Sequence, residues 1–394
     1  MHIFDDIRPY HDGEVRGVVN RLVADLALSR AMAKFRFPLW YRVAPGLISR
    51  VVQAGLRREL NDVYDVKDVQ IVIEKYLDKL IEKTAEGLTH SGLDQLDPVL
   101  PYLFISNHRD ITMDPALVNY MLYHEGFDTL QIAIGDNLLK RPFLTDLMKL
   151  NKSFLVKRGL QGRELLAASK QLSAYISHCI ATGQNVWIAQ REGRAKDGVD
   201  KTEPAVIKML YMQGRGSEPK LPLAEAMNRL NIVPVAISYE LDPCDAAKAA
   251  ELHAIDTRGC YTKDENTDVN SILTGMVGKK GAVHVSFGAP LSVHEEVATT
   301  DAVAAQIDAQ IVANYRLHLI NYLALQKLQP DCMDFATLPA RFGVSEALVQ
   351  QKRELLLARL RPLDAALHPY VLRMYANPVL NQVALNGAQH GVQR

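Results

Sequence analysis

Apolar residues recur at helical spacing over Val15–Arg30. They do so again over Val69–Glu86, where Ile71, Ile73, Leu77, Leu80 and Ile81 repeat the pattern. Between these stretches Pro38 and Pro45 interrupt the pattern, which predicts several short helices rather than one long one. From about residue 96 the period changes. Short apolar runs at Tyr102–Ser106, Leu130–Ile134, Ser153–Val156, Val186–Ala189, Ile232–Ser238 and Val283–Phe287 read as buried strands, with helical stretches such as Pro115–Tyr123 and Leu160–Thr182 between them. That alternation predicts an α/β fold, a mostly parallel or mixed sheet flanked by helices. Helical patterning returns over Val303–Leu325 and Glu346–Arg361, and Asn386–Arg394 reads as a frayed tail. The chain is thus expected to carry a helical region over 1–95, a catalytic domain over 96–295 and a helical region over 296–394.

Composition alters this picture little. Forty-five basic and 45 acidic residues cancel, so no global charge argues for nucleic acid. No apolar run approaches the roughly 20 residues of a membrane span, and the start MHIFDDIRPYHDGEV lacks the apolar core of a signal peptide. Cys179, Cys244, Cys260 and Cys332 are scattered without metal-ligand spacing and read as reduced thiols. The expected location is cytoplasmic, in solution or peripheral on the cytoplasmic face of a membrane.

One segment departs from the average. Arg30–Leu60 combines Lys34, Arg36, Arg42, Arg50, Arg57 and Arg58 with Phe35, Phe37, Trp40 and Tyr41. Residues 30–60 either dock on an anionic membrane surface or pack their aromatics on the catalytic core, and packing is the reading the sequence favours.

Three polar clusters follow three of the strands. Asn107-His108-Arg109-Asp110 runs on to Asp114-Pro115. Lys157-Arg158-Gly159 follows Ser153–Val156. Gln190-Arg191-Glu192-Gly193-Arg194-Ala195-Lys196-Asp197-Gly198 follows Val186–Ala189. Loops at the ends of strands in such folds line the ligand crevice. A histidine beside a carboxylate is a general base suited to neutral pH. Arginine forks and lysine charges suit phosphate oxygens, and Gly193 lets the backbone approach a ligand. The clusters together read as a base joined to a phosphate pocket. Asp114-Pro115 could equally serve as a helix N-cap and N1 pair. Lys157 and Arg158 could be solvated, and Glu192 could simply pair with Arg191 or Arg194.

These clusters resemble the motifs of the glycerol-phosphate acyltransferase superfamily, which acylates glycerol 3-phosphate and lysophosphatidate. Its first motif, Asn-His, four residues, then Asp, is similar to Asn107-His108 and Asp114-Pro115, although five residues intervene here. Phe154-Leu-Val-Lys157-Arg158 resembles the second motif and Val233-Pro234-Val235 the fourth. Glu192-Gly193-Arg194 resembles the third, one residue short, and Gly193-Arg194-Ala195-Lys196 fits an alternative register of it. All four stand in family order over about residues 100–240.

The resemblance implies that His108 is the base, that Asp114 or Asp110 orients it, and that Lys157, Arg158, Glu192, Gly193, Arg194 and Lys196 bind the acceptor phosphate. Backbone N–H groups at the start of the Pro115 helix are expected to help stabilise negative charge. It implies an acyl-CoA or acyl carrier protein donor, with no metal and no other cofactor. Lysophosphatidate is the first expected acceptor and glycerol 3-phosphate the second. A non-catalytic lipid-binding relative and a thioesterase-like hydrolase are the rivals.

Overall fold

The computed structural model describes residues 3–139, 141–264 and 266–391. It contains seven strands: β1 (Ala85–Ser91), β2 (Leu103–Ser106), β3 (Gln131–Gly135), β4 (Ser153–Val156), β5 (Val186–Ala189), β6 (Ile232–Tyr239) and β7 (Gly281–Phe287). Six coincide with the apolar runs, to within a residue or two at their ends. The fold is α/β, as expected. The chain divides into two compact units, Met1–Asp78 with Leu130–Gln171, and Lys79–Thr129 with Leu172–Arg394.

The second unit is built on a mixed sheet ordered β1-β7-β6-β2-β5, parallel except for the antiparallel pair β6–β7. In the parallel register Leu103 faces Val186 of β5 and Ile232 of β6, and Ser106 faces Ala189 and Val235. All of β2 and all of β6 are buried, so both read as unbroken apolar runs rather than alternating ones. This register brings the chain ends that follow Ser106 and Ala189 to one edge.

β1 was not anticipated: it lies within the stretch 1–95 expected to be helical. Its sequence AEGLTHS holds one large aliphatic residue and leaves every position exposed or half-buried, so no apolar run marks it. It forms by parallel pairing with β7, where Thr89 faces His284 and Ser91 faces Ser286.

Helices follow β7. The run Val303–Leu325, expected as one helix, is two: Thr300–Asn314 and Leu319–Leu328. His318 and Asn321 close a capping box between them and restart the helix. The second of these helices packs with Glu346–Leu360 and with the final helix His368–Gly391 around Leu323, Leu356, Leu360, Val371 and Tyr375. The final helix extends through Gly391, past Asn386, and residues 392–394 of the expected tail lie outside those described.

The first unit is mostly helical, with β3 and β4 paired in parallel. The expected helix Val15–Arg30 is interrupted: Asp12–Ala24 ends and Leu26–Arg36 begins at Asp25, whose carboxylate accepts from Ala27 N and Leu28 N. Pro38 and Pro45 stand at the first turns of the helices Pro38–Val43 and Pro45–Glu59, as the proline pattern predicts. Val15, Val18, Val19, Leu22, Phe143 and Leu150 form this unit's core.

Candidate active site

The chain leaves β2 at Asn107, and a side chain continues the ladder there. Asn107 Nδ2 donates to Ile237 O at 3.0 Å, and Asn107 Oδ1 accepts from Ile237 N at 2.8 Å, both on β6. Asn107 is wholly buried, so this pairing satisfies groups that would otherwise cost a few kcal/mol.

His108 follows, its side chain 14% exposed. Its Nδ1 lies 2.8 Å from Asp114 Oδ2. The same oxygen accepts from Arg109 N at 2.6 Å and Asp110 N at 2.9 Å, and Asp114 Oδ1 accepts from Tyr239 OH at 2.7 Å. Four donors thus converge on a fully buried carboxylate and compensate its desolvation. Burial first, and the Asp114 charge next, push the Tyr239 hydroxyl well above its ordinary range, which keeps it a donor. With Nδ1–H directed at Asp114, Nε2 is the imidazole nitrogen left to take a proton. Trp187 packs edge-on against the His108 ring at 5.8 Å and donates to Ser106 Oγ at 3.0 Å.

Asp110 faces elsewhere. Its Oδ1 accepts from Thr112 N at 2.9 Å and Met113 N at 2.8 Å, which caps the helix Met113–His124. Thr112 holds the N-cap position without a side-chain cap bond of its own, so the carboxylate at this helix start is Asp110, and Asp114 before Pro115 lies inside the first turn. The N–H groups of Thr112 and Met113 are consequently engaged by Asp110, so those two are not open to a developing negative charge. Burial, with the nearby Asp114 charge, raises the Asp110 carboxyl above the usual carboxylate range. Of the two candidate partners of His108, the structure pairs it with Asp114.

The loop after β5 lies against this turn. Ala195 N donates to His108 O at 2.8 Å, and Gln190 N to Ser106 O at 2.9 Å. Gly193 takes a positive φ of 76°. Arg194 is buried and its Nη1 has no partner among the described residues; the same holds for both amide atoms of the buried Gln190. Buried donors without acceptors are rare in folded proteins and mark a place for water or ligand. Lys196 pairs with Glu251 at 3.0 Å, and Glu192 is exposed on the turn. Lys157 and Arg158 belong to the other compact unit. There Lys157 Nζ meets Asp6 at 2.5 Å, and Arg158 N donates to Asp136 Oδ1 at 3.1 Å. The structure thus brings the first and third clusters together within one unit and occupies the Lys157 and Lys196 ammonium groups with carboxylates.

Several supporting residues escaped the sequence reading. Arg109 Nη2 pairs with the buried Asp200 at 2.6 Å, and its guanidinium stacks 5.6 Å from the Tyr315 ring. Burial opposes the Arg109 charge, but Asp200 outweighs it and raises the Arg109 pKa. Lys248 Nζ donates to Arg109 O at 2.7 Å and pairs with Asp242. The final helix reaches the third loop: Asn377 Nδ2 donates to Asp197 O at 2.7 Å and Asn381 Nδ2 to Gly198 O at 3.2 Å. Gly198 has φ 80°, and a Cβ there would stand 2.3 Å from Met374 O, so only glycine fits between loop and helix. Arg109 was visible in the first motif, but nothing in sequence tied it to residues so far along the chain.

Residues 87–238 match the family model described as Acyltransferase. That span runs from within β1 almost to the end of β6 and holds the His108–Asp114 pair and the Gly193–Arg194 turn. Over those residues the chain is similar to that acyltransferase family. Among curated proteins it is similar to a glycerol-3-phosphate acyltransferase of Haemophilus influenzae, 22% identical over 278 residues, covering 62% of this chain and 32% of that protein. A protein of the same name from Pseudoalteromonas atlantica is 29% identical over 196 residues, covering 48% of this chain and 23% of the relative. The chain thus spans about a third or less of the length of these relatives. Among solved structures it is similar to the 1-acyl-sn-glycerophosphate (LPA) acyltransferase PlsC from Thermotoga maritima, at 12% identity and a TM-score of 0.34, covering 74% of this chain and 96% of that one.

Proposed function

We propose that this chain transfers a fatty acyl group from a thioester, of coenzyme A or acyl carrier protein, to a hydroxyl of a glycerol phosphate. The observation that carries this reading is the His108–Asp114 pair, with Nδ1 committed to a carboxylate held by three further donors. His108 Nε2 takes the proton of the acceptor hydroxyl as its oxygen attacks the thioester carbonyl. The tetrahedral adduct collapses with cleavage of the carbon–sulfur bond, and the imidazolium returns the proton to the departing thiolate. Asp114 stabilises the imidazolium while it exists and holds the tautomer that makes Nε2 the base.

The unpartnered Arg194 and Gln190 groups beside that turn supply donors for the acceptor phosphate. The relatives' shared name favours glycerol 3-phosphate over lysophosphatidate as acceptor. Within the same reading the protein works on the cytoplasmic face of a membrane, which residues 30–60 would contact.

The test is thiol release from acyl-CoA and acyl carrier protein thioesters, with glycerol 3-phosphate and lysophosphatidate offered separately. Release should require an acceptor, and His108→Ala should abolish it while the circular dichroism spectrum stays unchanged. Release without acceptor would identify a hydrolase instead. No release with either acceptor would leave a binding protein.

A further inference from the structure

We propose that Lys248 is a positioning residue for His108: its ammonium group fixes the peptide between Arg109 and Asp110, and that peptide holds the carboxylate that holds the imidazole. Lys248 lies on the helix Asp245–Arg258, beyond the span that the family model matches, and its side chain is 2% exposed. An ammonium buried this deeply costs several kcal/mol unless a counter-charge and hydrogen bonds offset it. Its Nζ donates to Arg109 O at 2.7 Å and pairs with Asp242.

Asp242 alone would balance the charge. The bond to Arg109 O does more, because the N–H at the other end of that same peptide, Asp110 N, donates to Asp114 Oδ2 at 2.9 Å. Asp114 Oδ2 in turn lies 2.8 Å from His108 Nδ1. The peptide is planar, so pinning its oxygen fixes where its N–H points. Its dipole has a cation at the carbonyl end and an anion at the amide end, and each bond polarises and strengthens the next. Lys248, the peptide, Asp114 and His108 thus form one line of hydrogen bonds.

The far end of the line is anchored too. Arg359 Nη2 donates to Asp242 O at 2.7 Å, and Asp242 N donates to Tyr375 OH at 2.9 Å. Arg359 Nε and Tyr375 OH both donate to Asp245 Oδ2, at 2.7 Å and 2.8 Å. Arg359 and Tyr375 belong to the helices Glu346–Leu360 and His368–Gly391, so the C-terminal helices reach the base through Lys248.

This inference rests on the acyl-transfer reading for the reaction it serves, and one of its two readouts needs no reaction. Lys248→Met alone leaves Asp242 buried without its counter-ion and risks unfolding. The variant to test is therefore Lys248→Met with Asp242→Asn, which removes both charges together and keeps an acceptor for Cys244 N. In the full chain its Asp110 amide should exchange with deuterated solvent about tenfold faster than in wild type, while amides within β7 keep their rates. With the active acceptor, kcat should fall roughly ten- to hundredfold, the scale of a small misplacement, with donor and acceptor KM each within about twofold. Unchanged Asp110 exchange overturns the proposal whatever the rate does, and so does faster exchange with kcat unchanged. Faster exchange throughout the sheet would show a structural lysine only and overturns it as well. A wild type that transfers no acyl group, with Asp110 exchange still accelerated in the variant, would strike the acyl-transfer reading and leave the clamp standing.

Discussion

His108 has two carboxylates in reach by sequence, and the geometry separates them. Asp114 receives Nδ1 and three other donors, whereas Asp110 caps a helix. Asparagine at 110 can still accept from Thr112 N and Met113 N, so Asp110→Asn should leave kcat within severalfold of wild type. Asparagine at 114 would present N–H groups to donors and release the imidazole tautomer. Asp114→Asn should lower kcat by roughly ten-thousandfold, in line with loss of the orienting carboxylate elsewhere. Steady-state rates of both variants with the active acceptor decide the matter, and equal losses would sink the assignment. The motif named both residues but not the partner, because a carboxylate four residues before a helical one can reach either the ring or the helix end. Arg109 was legible as a charge and illegible as a structural member, since its partner Asp200 lies 91 positions on. Breaking that buried pair with Asp200→Ala should cost about 3–5 kcal/mol of stability in urea unfolding.

At the level of elements, buried parallel strands declared themselves as apolar runs, because burial on both faces leaves no alternation to blur the signal. β1 stayed hidden because its partner supplies its order: Thr89 and Ser91 bond the two ring nitrogens of His284 across the pair, at 2.7 Å and 3.0 Å. Helix breaks at Asp25 and His318 were missed because capping overrides periodicity at single positions. The final helix holds the Arg194 loop from a distance in sequence that no motif spans. Asn377→Ala removes the bond to Asp197 O, worth about 1 kcal/mol. We expect the acceptor KM to rise about fivefold with the donor KM little changed. A matched rise in both constants, or none, would show that the helix does not position that loop.

Across the whole molecule, burial of histidines ties stability to pH. Burial, then the nearby Arg316 charge, lowers His284 to about 4, and the same two causes in the same order lower His318 to about 4. Both are neutral in the fold yet would protonate near 6.5 once unfolded, so the unfolded chain binds more protons between those values. Stability present above about pH 6.5 is therefore lost as pH falls toward 4. Urea midpoints should fall between about pH 7 and pH 5, and a midpoint that stays level or rises would contradict this. Among the described residues no helix is long and apolar enough to cross a membrane.

The carboxamide of Asn107 has a consequence for how accurately the site is built. By bonding both the N–H and the C=O of Ile237, it acts as a peptide unit without a chain, a rung of the sheet donated from the side. The next residue is therefore hung from two strands at once. How far the imidazole reaches is fixed by the spacing between β2 and β6, a dimension that hardly varies, rather than by the slack of a loop. A base mounted this way keeps its distance to a substrate even where the surrounding loops breathe.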